Sequence, residues 1–167
     1  DEAKKAPLKA VDLETKGLRP FSTDAAVMTA AISFDRTNFS FAIDHPKAQW
    51  HPSQRTALLK SFEVLLRDTN TIKVAHNLPF EMEWFIWLYG KSIADHAGWE
   101  CTQVQAQFLD ERRGRQARGG EDDSHRATYQ SLDFLCKQHF GIGYKSLFKL
   151  NKKDMSKADL GETLIYN

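Results

Sequence analysis

The chain has 167 residues, 41% of them hydrophobic and 27% charged, the size of one globular domain that can bury roughly two-thirds of its unfolded surface. Its 23 Lys and Arg against 22 Asp and Glu leave a net charge of +1, which excludes the uniform basic field of a histone-like or heparin-binding protein; contact with an anionic polymer must use local patches. No apolar run reaches the ~18 residues of a membrane-spanning helix, and Cys101 and Cys136 are too few and too far apart for a disulfide framework or a Cys-based zinc site, so reduced thiols in a cytoplasmic compartment are expected.

The opening Asp1-Glu2-Ala3-Lys4-Lys5 has neither an initiator Met nor the layout of a signal peptide, and residues 1–7 read as a linker. Residues 8–14 read as a short strand, although acids at its end are poor strand formers. Gly17 and Pro20 interrupt the chain, residues 25–34 form a second, buried strand, and the polar turn 35–38 leads into a third at 39–43. Residues 53–68 carry Leu58, Leu59, Phe62, Leu65 and Leu66 on one face and predict an amphipathic helix capped by Ser53. A strand at 71–75, a helix at 79–89 with Pro79 in its first turn, a short strand at 99–102 and a helix at 103–111 follow. Residues 112–126 hold five arginines and an acidic run with almost nothing to bury, which predicts a solvated loop. A helix is expected over 129–140, stopped by Gly141, then a basic, aromatic-interleaved stretch and a last helix from about Ala158. Strands first, then helices alternating with strands, argue an α/β fold with a mixed sheet.

Side chains alternate across a strand, so Leu8, Ala10, Asp12 and Glu14 share one face and Lys9, Val11 and Leu13 the other. Two neighbouring carboxylates repel unless a cation or protons intervene, and oxygen-only ligands favour Mg²⁺ or Mn²⁺. The plainer alternative is a solvated strand end. In the helix beginning near Pro79, Glu81 falls on one face with Phe85 and Leu88, towards the core, while Glu83 points to solvent beside Trp87. A first-turn Glu is equally a surface residue favoured by the helix dipole.

Together, Val11-Asp12-Leu13-Glu14-Thr15 and His76-Asn77-Leu78-Pro79-Phe80-Glu81 resemble the first two motifs of the 3′–5′ proofreading exonuclease domain of family A DNA polymerases, a DEDD exonuclease, with phage-encoded members nearest in pattern. The resemblance runs on through Trp99-Glu100-Cys101-Thr102 and Ser131-Leu132-Asp133-Phe134-Leu135 and covers residues 8–167. It implies an RNase H-like fold, a mixed central sheet of about five strands flanked by helices. Two departures stand out. Glu81 occupies a position where the family usually has Asp, and the third motif, Tyr-x-x-x-Asp, begins at Tyr166 with its Asp expected three residues beyond Asn167. Asp154, Asp159 and Glu162 are the remaining acids of the C-terminal stretch that could substitute for it.

The resemblance further implies two Mg²⁺ or Mn²⁺ ions held by Asp12, Glu14 and Glu81, with Tyr166 orienting the attacking water. It implies a single-stranded DNA 3′ end contacted by Leu13, Thr15, His76, Asn77 and Phe80, and a polymerase domain as partner. Arg112, Arg113, Lys145, Phe148, Lys149 and Lys152 are candidates for tracking the strand, or simply part of the solvated surface. A second reading is an exonuclease-like domain that binds nucleic acid or braces a polymerase without catalysis. A sugar hydrolase fits poorly, since two acids on one short strand do not flank a glycosidic bond.

Overall fold

The computed structural model describes residues 2–95, 98–110, 129–143, 150 and 154–167; the expected 112–126 loop and the six strand-tracking candidates from Arg112 to Lys152 lie outside them. Five strands form a mixed sheet in the order β3-β2-β1-β4-β5. The strands are β1 (Leu8–Lys16), β2 (Ala26–Phe34), β3 (Thr37–Ala42), β4 (Ile72–Ala75) and β5 (Trp99–Cys101). β1 and β3 lie antiparallel to β2, whereas β4 runs parallel to β1 and β5 parallel to β4. The helices are α1 (Glu2–Lys5), α2 (Pro52–Leu66), α3 (Leu78–Tyr89), α4 (Thr102–Leu109), α5 (Leu132–Phe140) and α6 (Leu160–Tyr166). Residues 2–5, read as linker, thus form one helical turn, with Ala6 buried behind it.

The alternation along β1 decides which face is core. Lys9, Val11, Leu13 and Thr15 are buried, and Val11 and Leu13 join Phe62 and Leu66 of α2 and Trp84 and Phe85 of α3 in the apolar core. An aromatic chain crosses this layer: Phe41, Phe62, Phe85 and Trp99 follow one another with ring centroids 5.3, 6.0 and 5.6 Å apart, tying β3 to β5 through the two helices. Asp12 and Glu14 consequently face the other side.

Local chemistry moves three expected boundaries. Asp35 takes the left-handed conformation, φ 51°, so Asp35-Arg36 makes a two-residue hairpin and Thr37 and Asn38 belong to β3, not to the turn. Pro52 opens α2, so His51 rather than Ser53 is its cap: His51 accepts from the Ser53 amide and the Gln54 side chain returns a bond to the His51 amide. Ser131 caps α5 through a bond from the Phe134 amide at 3.3 Å, which starts that helix at Leu132.

At the end of the sheet away from Glu14, Lys9 and Lys73 are paired in register and wholly buried. Asp68 holds both: its carboxylate lies 3.3 Å from Lys9 Nζ and its carbonyl accepts from Lys73 Nζ at 2.6 Å. Burial pushes the Lys73 ammonium below its ordinary range, and the ring of Trp99, 5.4 Å away, offsets part of that cost. Gly98 enters β5 here at φ +86°, and a Cβ on it would stand 2.7 Å from the Thr71 carbonyl oxygen. Gly98→Ala is expected to destabilise the protein by roughly 2–4 kcal/mol, from left-handed strain plus overpacking; an unchanged urea midpoint would contradict this.

Among the described residues no helix is long and apolar enough to cross a membrane, and neither Cys101 nor Cys136 forms a disulfide.

Candidate active site

Where β1 ends, its carboxylate face opens into a cleft of about 360 Å³. β1 contributes Asp12, Leu13, Glu14 and Thr15 to the wall. Its pairing with β2 shifts between Glu14 and Thr15, an irregularity of the kind that re-aims side chains beside functional sites. Asp12 and Glu14 are half-buried, while only 3% of Leu13 and 3% of Thr15 is exposed. The Leu13 side chain belongs to the core, and Thr15 Oγ1 donates to the Gly17 carbonyl at 2.7 Å, so what these two offer a ligand is chiefly backbone.

The β4–α3 junction supplies His76, Asn77, Phe80 and Glu81. Asn77 stands in the left-handed conformation at φ 64°, which lets the chain turn at once from strand to helix, and its side chain makes no capping bond to α3. His76 Nδ1 lies 3.0 Å from Thr102 Oγ1 at the start of α4, a contact that fixes the ring. Glu81 sits in the first turn of α3 on its inward face, as the helical phase predicts, and is only 2% exposed. Its Oε2 has no hydrogen-bond partner. Burial, and after it the charge of Asp12, pushes the Glu81 carboxyl up from 4.5 to about 8, with Cys101 and Glu14 adding to the effect. Glu83 lies on the other side of α3, paired with Arg19.

Tyr166, at the end of α6, completes the set. It is 6% exposed and packs with Met28 and Met155, so it is a core aromatic and a cleft residue at once. Next to it, Asn167 Nδ2 donates to Thr29 Oγ1 at 2.8 Å and fastens α6 to β2. Asp12, Leu13, Glu14, Thr15, His76, Asn77, Phe80, Glu81 and Tyr166 therefore line one cleft, although β1, α3 and α6 lie far apart along the chain.

The other C-terminal acids do different work. Asp154 accepts from the Ser156 amide and pairs with Lys157, Asp159 caps α6 and pairs with Lys47, and Glu162 is exposed; none lines the cleft. Four cleft residues escaped the sequence reading: Gln103 of α4, and Ser131, Leu132 and Asp133 at the start of α5. The only signal for Asp133 was its place inside a string that resembled the family; an acid in a first helical turn is otherwise unremarkable.

The described wall contains four carboxylates and neither Lys nor Arg. That donor set, with an orphaned carboxylate oxygen inside it, suits a hard divalent cation. As the side chains stand, no three His, Cys, Asp or Glu groups among the described residues are close enough to hold a metal ion. The fit is one of donor chemistry, and chelation requires side-chain rotation.

Residues 1–164 match the family described as 3′–5′ exonuclease. No curated protein matches the chain in sequence. Among solved structures it is similar to Brucella melitensis NrnC bound to pGG, with a TM-score of 0.62 and 16% identity over 98% of this chain and 65% of that one. Brucella melitensis NrnC with bound Mg²⁺ gives 0.61 and 16% over 99% and 66%. Escherichia coli RNase D, an exoribonuclease involved in structured RNA processing, gives 0.57 and 17% over 98% and 35%. The chain thus spans about two-thirds of the first relative and about a third of the last, and the likeness is one of fold: the RNase H-like mixed sheet with flanking helices.

Proposed function

Since the chain belongs to the 3′–5′ exonuclease family, we propose that it hydrolyses the terminal phosphodiester of single-stranded DNA from the 3′ end, as the proofreading domain of a family A DNA polymerase. The observation that carries this reading is the cleft where Asp12, Glu14, Glu81 and Tyr166 meet with neither Lys nor Arg in its described wall. Asp12, Glu14 and Glu81 are the residues that would hold Mg²⁺ or Mn²⁺ at the strand end. Divalent ions bound there would lower the pKa of the attacking water and offset charge on the leaving 3′ oxygen. The Tyr166 phenol hydrogen-bonds and orients the attacking water without competing for metal. Half-buried Phe80 presents a face on which an unpaired base can stack, and Asn77 and His76 bond to sugar or phosphate. A single strand is required because paired and stacked bases would hold the terminal phosphodiester away from the carboxylates.

The test uses 5′-labelled single-stranded DNA and RNA of one sequence, with Mg²⁺ and then with EDTA. A ladder shortening one nucleotide at a time on DNA, abolished by EDTA, is the expected result. Shortening confined to RNA would move the substrate towards that printed for the RNase D relative and away from proofreading. Tight binding with both strands left intact would establish the non-catalytic reading instead.

A further inference from the structure

Asp12, His76 and Leu132 each line two spaces: the carboxylate cleft and a second pocket of about 320 Å³, further back along β1, where Ala10 takes the place that Glu14 has in the cleft. The sheet register makes its floor. Val74 of β4, Ala10 of β1 and Ser33 of β2 stand in one row across the sheet, and Ala31 stands beside Asp12 in the next. With nothing in the first row larger than valine the floor is flat, and Ala10 is exposed although β1 is the central strand. Leu132 and Cys136, one turn apart on α5, face this floor across the pocket. A mostly apolar space with a few polar groups, here the Ser33 hydroxyl and the Asn167 carboxamide, suits one small molecule, and its size lies at the lower end of the roughly 300–1,000 Å³ of such sites. It is too small for a helix, whose diameter with side chains is about 10–12 Å. Asp12 is the one acid in its described wall and neither Lys nor Arg joins it, so an anionic ligand would be buried there without a counter-charge.

Resting on the exonuclease reading, we propose that this pocket binds the base of a purine nucleoside. On that reading the cleft handles nucleotides, and the pocket is continuous with it past Asp12 and His76, so its occupant is the flat, largely apolar and uncharged part of the same molecule. The base lies on the Ala10 and Ala31 floor beneath Leu132 and Cys136, with the Ser33 hydroxyl and the Asn167 carboxamide at its edges and the sugar towards His76. A purine covers more of this apolar wall than a pyrimidine and is held more tightly for that reason.

Cys136 reports on the pocket without any activity or metal, since an occupant shields its thiol from alkylation. The 167-residue chain in EDTA is treated with iodoacetamide, and the peptides carrying Cys136 and Cys101 are followed separately by mass. Adenosine at about ten times its half-protecting concentration is expected to slow alkylation of Cys136 about tenfold. Cys101 lines neither space and should keep its rate. Ribose is expected to give no protection, and uridine to need a concentration about threefold higher than adenosine. Ala10→Leu, which fills the floor from an exposed position, is expected to raise the half-protecting concentration of adenosine at least about tenfold. Should Ala10→Leu lower the thermal midpoint severely, Ser33→Ala decides: a rise of about fivefold, the worth of one hydrogen bond, supports the assignment, and no rise overturns it. Protection by 1-hexanol equal to that by adenosine would mean a void with no preference for a base, and overturns it too. So does a Cys136 that resists alkylation without ligand, or one whose alkylation adenosine leaves unchanged; if the labelled DNA is still shortened, the exonuclease reading stands. Protection of Cys136 with neither DNA nor RNA shortened supports the pocket and refutes the exonuclease reading.

Discussion

Asp12→Ala is expected to slow nucleotide release from a single-stranded 3′ end at least about a thousandfold under single-turnover conditions, and to leave the thermal midpoint within a few degrees of wild type. The rate follows from the part assigned to Asp12. Divalent-ion stabilisation of charge in the transition state is worth several kcal/mol, and each 1.36 kcal/mol is tenfold in rate, so losing the residue placed to hold the ions removes about three powers of ten. The stability follows from the strand. Asp12 is half-buried on the cleft face, while Val11 and Leu13 on either side fill the core and continue to do so. Asp12 is also the largest charge acting on Glu81, second only to burial, so its removal relieves a repulsion that opposes folding at neutral pH. Glu83→Gln, two residues from Glu81 but turned away towards Arg19, is the matched control and should remain within a few-fold of wild type. Residual activity of Asp12→Ala within tenfold of wild type would sink the assignment of the cleft.

What could be read from the sequence was whatever a single period expresses. The alternation of β1 put Asp12 and Glu14 on one face, and the misfit of acids in an otherwise apolar strand marked them. The 3.6-residue phase of α3 put Glu81 inward beside Phe85 and Glu83 outward. No period says that β4 lies beside β1 and parallel to it, which is what brings His76 to Glu81 near Asp12 and Glu14; that step came only with the resemblance. Residues whose role depends on a distant neighbour were missed. Lys9 was placed on the face of Val11 and Leu13 and Lys73 drew no reading, because nothing local reveals Asp68 and Trp99 waiting for them. Asp133 drew no reading beyond its place in a string that resembles the family, because nothing local says that α5 begins at the cleft. The capping residue of α2 was misplaced for a smaller reason: Pro52 already fits the first helical turn, which moves the cap back to His51.

The buried carboxyl of Glu81 gives the second large effect, and it is expected in metal-free protein as a stability that falls with rising pH. Folding lifts the Glu81 carboxyl from 4.5 to about 8, so between those values the folded protein keeps a proton that the unfolded chain releases. Stability contributed by the neutral carboxyl is complete below about pH 4.5, declines through neutrality and is gone above about pH 8. A shift of that size corresponds to a loss on the order of 4 kcal/mol, a large fraction of the 5–15 kcal/mol typical of a whole domain. Glu81→Gln keeps the shape and removes the titration. Its urea midpoint is expected to match wild type near pH 5 and to exceed it at pH 8.5 by the equivalent of about 3–4 kcal/mol. Mg²⁺ or Mn²⁺ at pH 8.5 should then restore wild-type stability by favouring the ionised carboxylate, and should do far less for Glu81→Gln, which has lost that ligand. Parallel stability curves for the two proteins across pH 5–8.5 would mean that Glu81 is ionised and satisfied by some other group, and the case for it as the buried acid of a cation site would fail.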